Sequence, residues 1–156
     1  MKIAICPGSY DPVTYGHLDI IKRSAVLVDK LIVTVFVNPS KKASLFSIEE
    51  RLDMLRETTK DIPNVEVDTS TGLLNVYAAS KNCHLIIRGL RAFSDFEYEF
   101  QRALMIKKID PTLETAFFMT DGRYSYLSST GVRELAYFNG DVSQICLLYT
   151  SDAADE

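Results

Sequence analysis

Short apolar segments alternate with longer amphipathic segments along most of the chain, and this alternation constrains the fold more than any other feature. Segments of strand length occupy residues 2–6, 30–37, 65–68, 84–88 and 114–119, and segments with helical spacing occupy 16–28, 48–59, 73–82, 95–109 and about 128–138. Strands that alternate with helices form a parallel sheet covered by helices on both faces. The sequence therefore predicts an α/β protein: a single doubly wound, Rossmann-like domain with a five-stranded parallel sheet.

Local signals place the ends and the buried faces of several helices. Ser47 and Glu50 have the spacing of a capping box, which predicts that a helix begins at residue 48. Residues 139–140 (Asn-Gly) are a typical helix stop and predict the end of the last helix. Phe96 and Phe100 are four residues apart on a predicted helix, so we expect both rings in the core.

Composition excludes several classes of protein. The chain has 156 residues, 47% of them apolar, and a formal charge of −4, which argues against disorder and against a nucleic-acid-binding surface. The apolar run 31–37 is far too short to cross a bilayer, and the predicted strand at residue 2 leaves no visible signal peptide. Three widely separated cysteines show no metal or redox spacing. We expect a cytoplasmic protein of one domain, residues 1–145, with no membrane or nucleic-acid partner.

The last residues, 146–156 (Cys-Leu-Leu-Tyr-Thr-Ser-Asp-Ala-Ala-Asp-Glu), have neither helical nor strand periodicity. They resemble the translation of a transposase adapter used in short-read library preparation. We therefore expect a non-native tail, to be kept out of reasoning about the fold. The tail contains three acids and no base, so without it 18 acids face 17 bases and the charge is −1. The alternative is a natural flexible tail.

The predicted topology also predicts where a ligand binds, because open parallel sheets bind ligands beyond the carboxyl ends of their strands. The segments that follow those ends are 7–12, 38–42, 88–91 and 121–130, and they are rich in Gly, Ser, Thr, Lys and Arg. Such residues are typical of phosphate-binding sites. Neither a G-x-G-x-x-G nor a Walker-type glycine pattern is present, so neither dinucleotide nor P-loop binding is indicated.

Each candidate residue at this edge also has a purely structural interpretation. His17 lies at a predicted helix start, where it would either contact a bound phosphate or merely cap and pack. Lys41 and Lys42 would bind an anion or be solvated surface. Arg88 ends an apolar strand and should be held against an anion or a carboxylate. Arg91 could pair with Asp95 or Glu99 instead of a ligand.

The segments 95–99 and 128–130 are open to the same two interpretations. Acids in a first helical turn interact favourably with the helix dipole without any further function. Three hydroxyl side chains at residues 128–130 either cap the last helix or bind a second phosphate there. Cys83 and His84, at a predicted strand start, are interpreted as structural.

Two of these segments together resemble the signatures of the nucleotidyltransferase superfamily. They are residues 7–17 (Pro-Gly-Ser-Tyr-Asp-Pro-x-Thr-x-Gly-His) and 128–133 (Ser-Ser-Thr-x-x-Arg). A more specific resemblance within this superfamily comes from four further segments, 39–42, 48–51, 85–91 and 95–99. With them, the chain is similar to bacterial phosphopantetheine adenylyltransferases from residue 1 to about 144. The resemblance implies adenylyl transfer from Mg-ATP to 4′-phosphopantetheine, which yields dephospho-coenzyme A and pyrophosphate. It also implies a homo-oligomer, a hexamer in the family.

The resemblance also implies roles for individual residues. His17 and Lys41 would be catalytic, and the acceptor would be bound by Ser9, Lys41, Leu74 and Arg88. The ATP-binding set would be Ser9, Tyr10, His17, Gly89, Leu90, Arg91, Glu99, Tyr124, Ser125, Tyr126, Leu127, Ser128, Ser129 and Thr130. No carboxylate cluster suggests a metal site in the protein, so Mg²⁺ is expected to arrive with ATP. The competing interpretations are a nicotinate or nicotinamide mononucleotide adenylyltransferase and a catalytically silent nucleotide-binding module.

Overall fold

The computed structural model describes residues 1–37, 44–124 and 128–141, except the side chains of residues 93 and 94. Lys41, Lys42, Ser125, Tyr126 and Leu127 therefore lie outside the described residues, as does the predicted non-native tail, 146–156.

Within the described ranges, strands and helices alternate in the predicted order. They are β1 (Ile3–Gly8), α1 (Tyr15–Ala25), β2 (Lys30–Phe36), α2 (Ile48–Thr59), β3 (Val65–Ser70), α3 (Leu74–Ser80), β4 (Leu85–Leu90), α4 (Phe93–Ile109), β5 (Glu114–Met119) and α5 (Ser129–Tyr137). A short 3₁₀ turn, Gly122–Tyr124, lies between β5 and α5. Every predicted element is present, and the bounds of α2 and β5 agree with the prediction.

The sheet is parallel throughout, with the strand order β3-β2-β1-β4-β5. β1 is central and pairs with β2 in register from Ile3 opposite Lys30 to Gly8 opposite Val35. The strand order reverses between β1 and β4, so the two chain segments that leave these strands diverge and open a crevice at their carboxyl ends. This topology confirms the predicted doubly wound fold and places the crevice beside the predicted ligand segments.

Alternate residues of the strands point to opposite faces of the sheet and contribute to two separate hydrophobic cores, one on each face. On one face, Ala4 packs with residues of α1, α2 and α5, including Ile21, Leu55 and Val132. On the other face, Ile5 packs with residues of α3 and β4, among them Tyr77 and Ile86. Ile5, Ile21, Leu55 and Ile86 have no exposed surface, and each such side chain contributes about 1.5–3 kcal/mol by burial. Helices cover both faces of the sheet, as the sequence predicts.

The expectation that Phe96 and Phe100 belong to the core is wrong. Their exposed fractions are 43% and 45%. The two rings stack on each other with centroids 5.5 Å apart, and Phe96 also contacts the ring of Phe117 on β5. Phe96, Phe100 and Leu104 follow one another at four-residue spacing and form an exposed apolar stripe on α4, and Met105 and Ile109 are exposed on another side of the same helix.

The predicted helix signals are found in place. Ser47 and Glu50 form the capping box of α2, with each side chain bonded to the other residue's backbone N–H. After α5, Asn139 adopts a left-handed φ of 59° and the N–H of Gly140 donates to the Leu135 carbonyl, which ends the helix. In the part of the chain that the structure describes, no helix has the length and hydropathy needed to span a bilayer.

Candidate active site

The candidate site lies at the carboxyl edge of the sheet, where α1 and α5 begin. Neither helix has an acidic residue in its first turn, whereas α2 and α4 both do. Thr14 caps α1 and Ser128 caps α5, so each start combines a hydroxyl with backbone N–H groups and the positive end of a helix dipole. Two adjacent helix starts of this kind form a favourable environment for a phosphorylated ligand.

His17 occupies the third position of α1 and uses one ring nitrogen to close the helix start. Its Nδ1 accepts the backbone N–H of Thr14 at 3.0 Å, and its own backbone N–H donates to Thr14 Oγ1 at 3.3 Å. Because Nδ1 is an acceptor, the proton of the neutral ring is on Nε2. The structural interpretation of His17 as a cap is therefore correct for Nδ1, and it leaves Nε2–H as a donor.

The surroundings of His17 keep its ring neutral. Burial, together with the smaller effect of the positive charge of Arg91, lowers the pKa of His17 to about 4. The imidazole is thus a fixed neutral hydrogen-bond donor near pH 7, and a positively charged group only in acid. The ring is held from below by Tyr10, whose ring packs edge-on with centroids 5.0 Å apart.

Tyr10 is buried beneath the site and does not present its hydroxyl to the crevice. The hydroxyl donates to the Cys6 carbonyl at 2.9 Å, and burial raises the pKa of Tyr10 well above its usual value. The residue has a left-handed φ of 47°, and a Cβ on Gly8 would stand 3.0 Å from its ring. Glycine at position 8 therefore lets the ring fold back under His17. A Tyr10 contact with ATP would have to come from its backbone.

Arg88, at the end of β4, is held by a carboxylate, as its position predicts. Its Nε lies 3.2 Å from Oε2 of Glu99, and both side chains are mostly buried, with exposed fractions of 14% and 16%. Burial lowers the pKa of Arg88, and the Glu99 charge opposes that effect. The Glu99 Oε2 atom has no well-aligned hydrogen bond despite this proximity. The pair is an ion pair with unused hydrogen-bonding capacity on the carboxylate.

The residues after Arg88 bring β4 close to α1. A Cβ on Gly89 would stand 3.1 Å from Cγ1 of Ile20, so the absence of a side chain lets α1 approach the strand. Leu90 ends β4 and accepts the N–H of Thr120. Of the two acids proposed as partners of Arg91, Asp95 forms the ion pair, with Arg91 Nε 3.2 Å from Asp95 Oδ2.

All three hydroxyl side chains at the start of α5 have structural hydrogen bonds. Ser128 Oγ accepts the N–H of Gly131 at 3.0 Å as the helix cap. Ser129 Oγ donates to the Pro12 carbonyl at 2.8 Å, and Thr130 Oγ1 accepts from Arg133 Nη2 at 3.1 Å. The Ser129 bond joins α5 to the β1–α1 loop, whereas the other two bonds lie within the start of α5. All three hydroxyl oxygens can form a further hydrogen bond.

Tyr124 and Leu74 occupy different parts of the fold. Tyr124 stacks on Tyr15 with centroids 6.2 Å apart, and its Cβ would be 3.6 Å from a Cβ on Gly16, so the β5–α5 turn also contacts the start of α1. Leu74 begins α3 on the opposite face of the sheet, where it packs against the core that contains Ile5.

Sequence reasoning assigned no role to Asp11 or Arg51, both of which are buried beside the site. The Asp11 carboxylate accepts the N–H groups of Leu45 and Phe46, both at 2.9 Å. Arg51 Nη1 donates to the Ser9 carbonyl at 3.2 Å. The hydrogen-bond partners of these two buried charges lie 34 to 42 residues away in the chain, so no local sequence pattern indicates them. Only the fold shows the pairing.

Comparison with known proteins places the chain among nucleotide-transferring enzymes. The family model described as cytidylyltransferase-like matches residues 5–135. The phosphopantetheine adenylyltransferase of Caldanaerobacter subterraneus subsp. tengcongensis is 60% identical over 144 residues, which cover 92% of this chain and 89% of that protein. The enzyme of the same name from Desulfosudis oleivorans is 57% identical over 143 residues, covering 92% and 84%.

A solved structure supports the fold assignment. A bifunctional NMN adenylyltransferase/ADP ribose pyrophosphatase from Francisella tularensis superposes with a TM-score of 0.68, covering 93% of this chain and 44% of that chain. The two sequences are 17% identical, so this likeness bears on the fold alone.

Proposed function

The chain belongs to the cytidylyltransferase-like family and, within it, to the phosphopantetheine adenylyltransferases, and we propose that it transfers the adenylyl group of ATP to 4′-phosphopantetheine. The products are dephospho-coenzyme A and pyrophosphate, and the reaction is a step in the synthesis of coenzyme A. The observation that carries this proposal is the pair of acid-free helix starts, α1 and α5, with the neutral donor His17 Nε2–H at the first of them.

The proposed reaction is a direct in-line transfer. A phosphate oxygen of phosphopantetheine attacks the α-phosphorus of ATP, and the bond from that phosphorus to the bridging oxygen of pyrophosphate breaks. Negative charge grows on the oxygens around the α-phosphorus, so a positioned donor lowers the barrier without any covalent enzyme intermediate. His17 is suited to this task because its Nδ1 bond to Thr14 fixes the ring and its Nε2–H remains to donate.

The remaining site residues divide between the two substrates. Arg88 supplies a buried guanidinium for the acceptor phosphate, with Glu99 as its partner in the free protein. Ser9, Lys41 and Leu74 complete the acceptor set by resemblance to the family. The proposed ATP contacts are Ser9, Tyr10, His17, Gly89, Leu90, Arg91, Glu99, Tyr124, Ser125, Tyr126, Leu127, Ser128, Ser129 and Thr130.

Mg²⁺ is proposed to bind as part of Mg-ATP. Within residues 1–37, 44–124 and 128–141, no group of three His, Cys, Asp or Glu side chains could hold a metal ion. The acids nearest the crevice are already committed, Asp11 to backbone N–H groups and Asp95 and Glu99 to arginines. This donor set fits a cation held by the ATP phosphates and water. The bound cation would neutralise phosphate charge, while the protein aligns the reacting groups.

We further propose that the protein is a cytoplasmic homo-oligomer, with the hexamer of the family as the expected form. The exposed apolar side chains of α4 support association, because Phe96, Phe100, Leu104, Met105 and Ile109 are 43% to 65% exposed. Cys6 and Cys83 are buried free thiols, which is consistent with a reducing compartment.

The acceptor can be identified by measuring pyrophosphate release from Mg-ATP with 4′-phosphopantetheine or nicotinamide mononucleotide. We expect turnover with phosphopantetheine only. Turnover with the mononucleotide instead would reassign the acceptor. No turnover with either acceptor, together with retained ATP binding, would favour a catalytically silent nucleotide-binding module.

A further inference from the structure

Asp11 is the point at which three separate segments of the site are joined. Its carboxylate is 9% exposed and accepts two backbone N–H groups, those of Leu45 and Phe46, from the segment that leads into α2. Its backbone carbonyl accepts a hydrogen bond from Nη1 of Arg133 on α5, and the same Nη1 lies 3.7 Å from its carboxylate. Asp11 itself belongs to the loop between Ser9 and His17. Asp11 thus connects its own loop both to the segment before α2 and to α5.

Adjacent bonds strengthen the same junction. Ser129 Oγ of α5 donates to the carbonyl of Pro12, the residue after Asp11, at 2.8 Å. Arg133 also donates through Nη2 to Thr130 Oγ1, so one guanidinium joins the start of α5 to the β1–α1 loop. On the other side, Arg51 of α2 donates to the Ser9 carbonyl at 3.2 Å. The β1–α1 loop, which runs from Ser9 to the start of the helix that contains His17, is therefore bonded to both α2 and α5.

A buried carboxylate is costly unless its hydrogen bonds are satisfied, and an apolar residue could fill the same volume without that cost. The bonds of Asp11 are directional and reach two elements that are far apart in the chain. Directional bonds define distances between segments more closely than apolar packing does. In-line phosphoryl chemistry depends on such distances, because a displacement of about 1 Å can reduce the rate by about 10²-fold.

We propose that Asp11 is a positioning residue for adenylyl transfer: it sets the separation between the segment 9–17, which contains Ser9 and His17, and the start of α5. This role rests on the function proposed above. Asp11 contacts neither substrate in the proposal and acts through Arg133 and through the segment 44–47. Its loss should therefore reduce kcat far more than it weakens ATP binding, because binding tolerates small displacements that alignment for transfer does not.

The test uses the full chain with Asp11→Asn, Arg133→Met and the double variant. Asp11→Asn keeps the size of the side chain, but one N–H partner then faces an amide NH₂ group. We expect about a tenfold or greater loss of kcat for each single variant, with the Kd for ATP changed less than about threefold by calorimetry. The double variant should lose no more than about the larger single loss, because both changes open the same junction. Asp53→Asn, an exposed acid on α2 paired with Arg56, is the matched control and should keep wild-type kcat.

The possible outcomes separate the positioning role from the proposed function. An unchanged kcat in folded Asp11→Asn protein, with turnover by the wild type, would overturn the positioning role alone. Multiplied losses in the double variant would overturn it as well, since the two residues would then act independently. If Asp11→Asn does not fold, as judged by circular dichroism, Arg133→Met is the test. A large loss of kcat with little change in the Kd for ATP would then support the positioning role, and an unchanged kcat would overturn it. Absence of turnover by the wild type with either acceptor would refute the proposed function, and the positioning role with it.

Discussion

Replacement of His17 by Gln tests the central feature of the site, a neutral donor fixed at a helix start. A Gln at the third helical position can still reach the N-cap backbone N–H, so this variant keeps the capping box and removes only the titratable ring. The folded-state pKa of His17 is about 4, against an ordinary value of 6.5. Between these values the unfolded chain binds more protons, so the contribution of His17 to stability is complete above pH 6.5 and is lost as the pH falls towards 4.

The expected size follows from the two pKa values. Between pH 7 and pH 4.5, His17 should account for about 2 kcal/mol of the decrease in the free energy of unfolding. Urea unfolding at both pH values measures this, and His17→Gln should show a decrease smaller by that amount. His84→Gln removes the other histidine, which is exposed, and serves as the control that keeps the wild-type difference.

A second variant, His17→Ala, tests the catalytic role, because a glutamine amide would still offer an N–H donor. Loss of the Nε2 donor in His17→Ala should lower kcat by about 10²-fold, the scale on which removal of one transition-state donor acts. Equal pH dependence of stability in the wild type and His17→Gln would refute the neutral state of the His17 ring. Retained wild-type kcat in His17→Ala would refute its catalytic role.

Three further predictions concern the acceptor site, the core and the surface. Arg88→Ala should raise the Kd for phosphopantetheine much more than the Kd for ATP in calorimetry, and equal losses would mean that Arg88 does not serve the acceptor. Tyr77→Phe removes the hydroxyl that donates to Asp68 at 2.6 Å and should lower the free energy of urea unfolding by about 1–2 kcal/mol; Tyr137→Phe, at a 77% exposed position, should change it little, and similar values for both would contradict the role of this bond. Phe100→Ser should shift the mass measured by light scattering towards smaller species, and an unchanged mass would exclude this part of α4 from the interface.

The sequence predicts most of the fold because its signals are local. The capping box of Ser47 and Glu50 and the Asn-Gly pair after α5 depend on neighbouring residues only, and both are found where predicted. Strand–helix alternation likewise leaves few topologies, since parallel strands need helical crossovers on the faces of the sheet. The topology in turn predicts that the ligand site lies at the carboxyl edge of the sheet, and His17 follows the strand at the centre of that edge.

The sequence predicts less where the outcome depends on distant partners. Phe96 and Phe100 have core spacing, but periodicity does not distinguish a face that packs on its own sheet from one that remains exposed. The contact between Asp11 and Arg133 joins residues 122 positions apart, and no local pattern indicates it. For His17 the capping interpretation and the catalytic one involve different nitrogens of the same ring, and only the hydrogen bond from Thr14 separates them.

The most direct test of direct adenylyl transfer is a single turnover with ATP labelled at the α-phosphate. Wild-type chain in excess over labelled ATP is mixed with Mg²⁺ and 4′-phosphopantetheine, quenched, and separated into protein and small molecules. We expect the label to move from ATP into dephospho-coenzyme A, with none on the protein at any time. Label on the protein that later passes to the product would contradict direct transfer, and label that remains in ATP would contradict the assigned reaction.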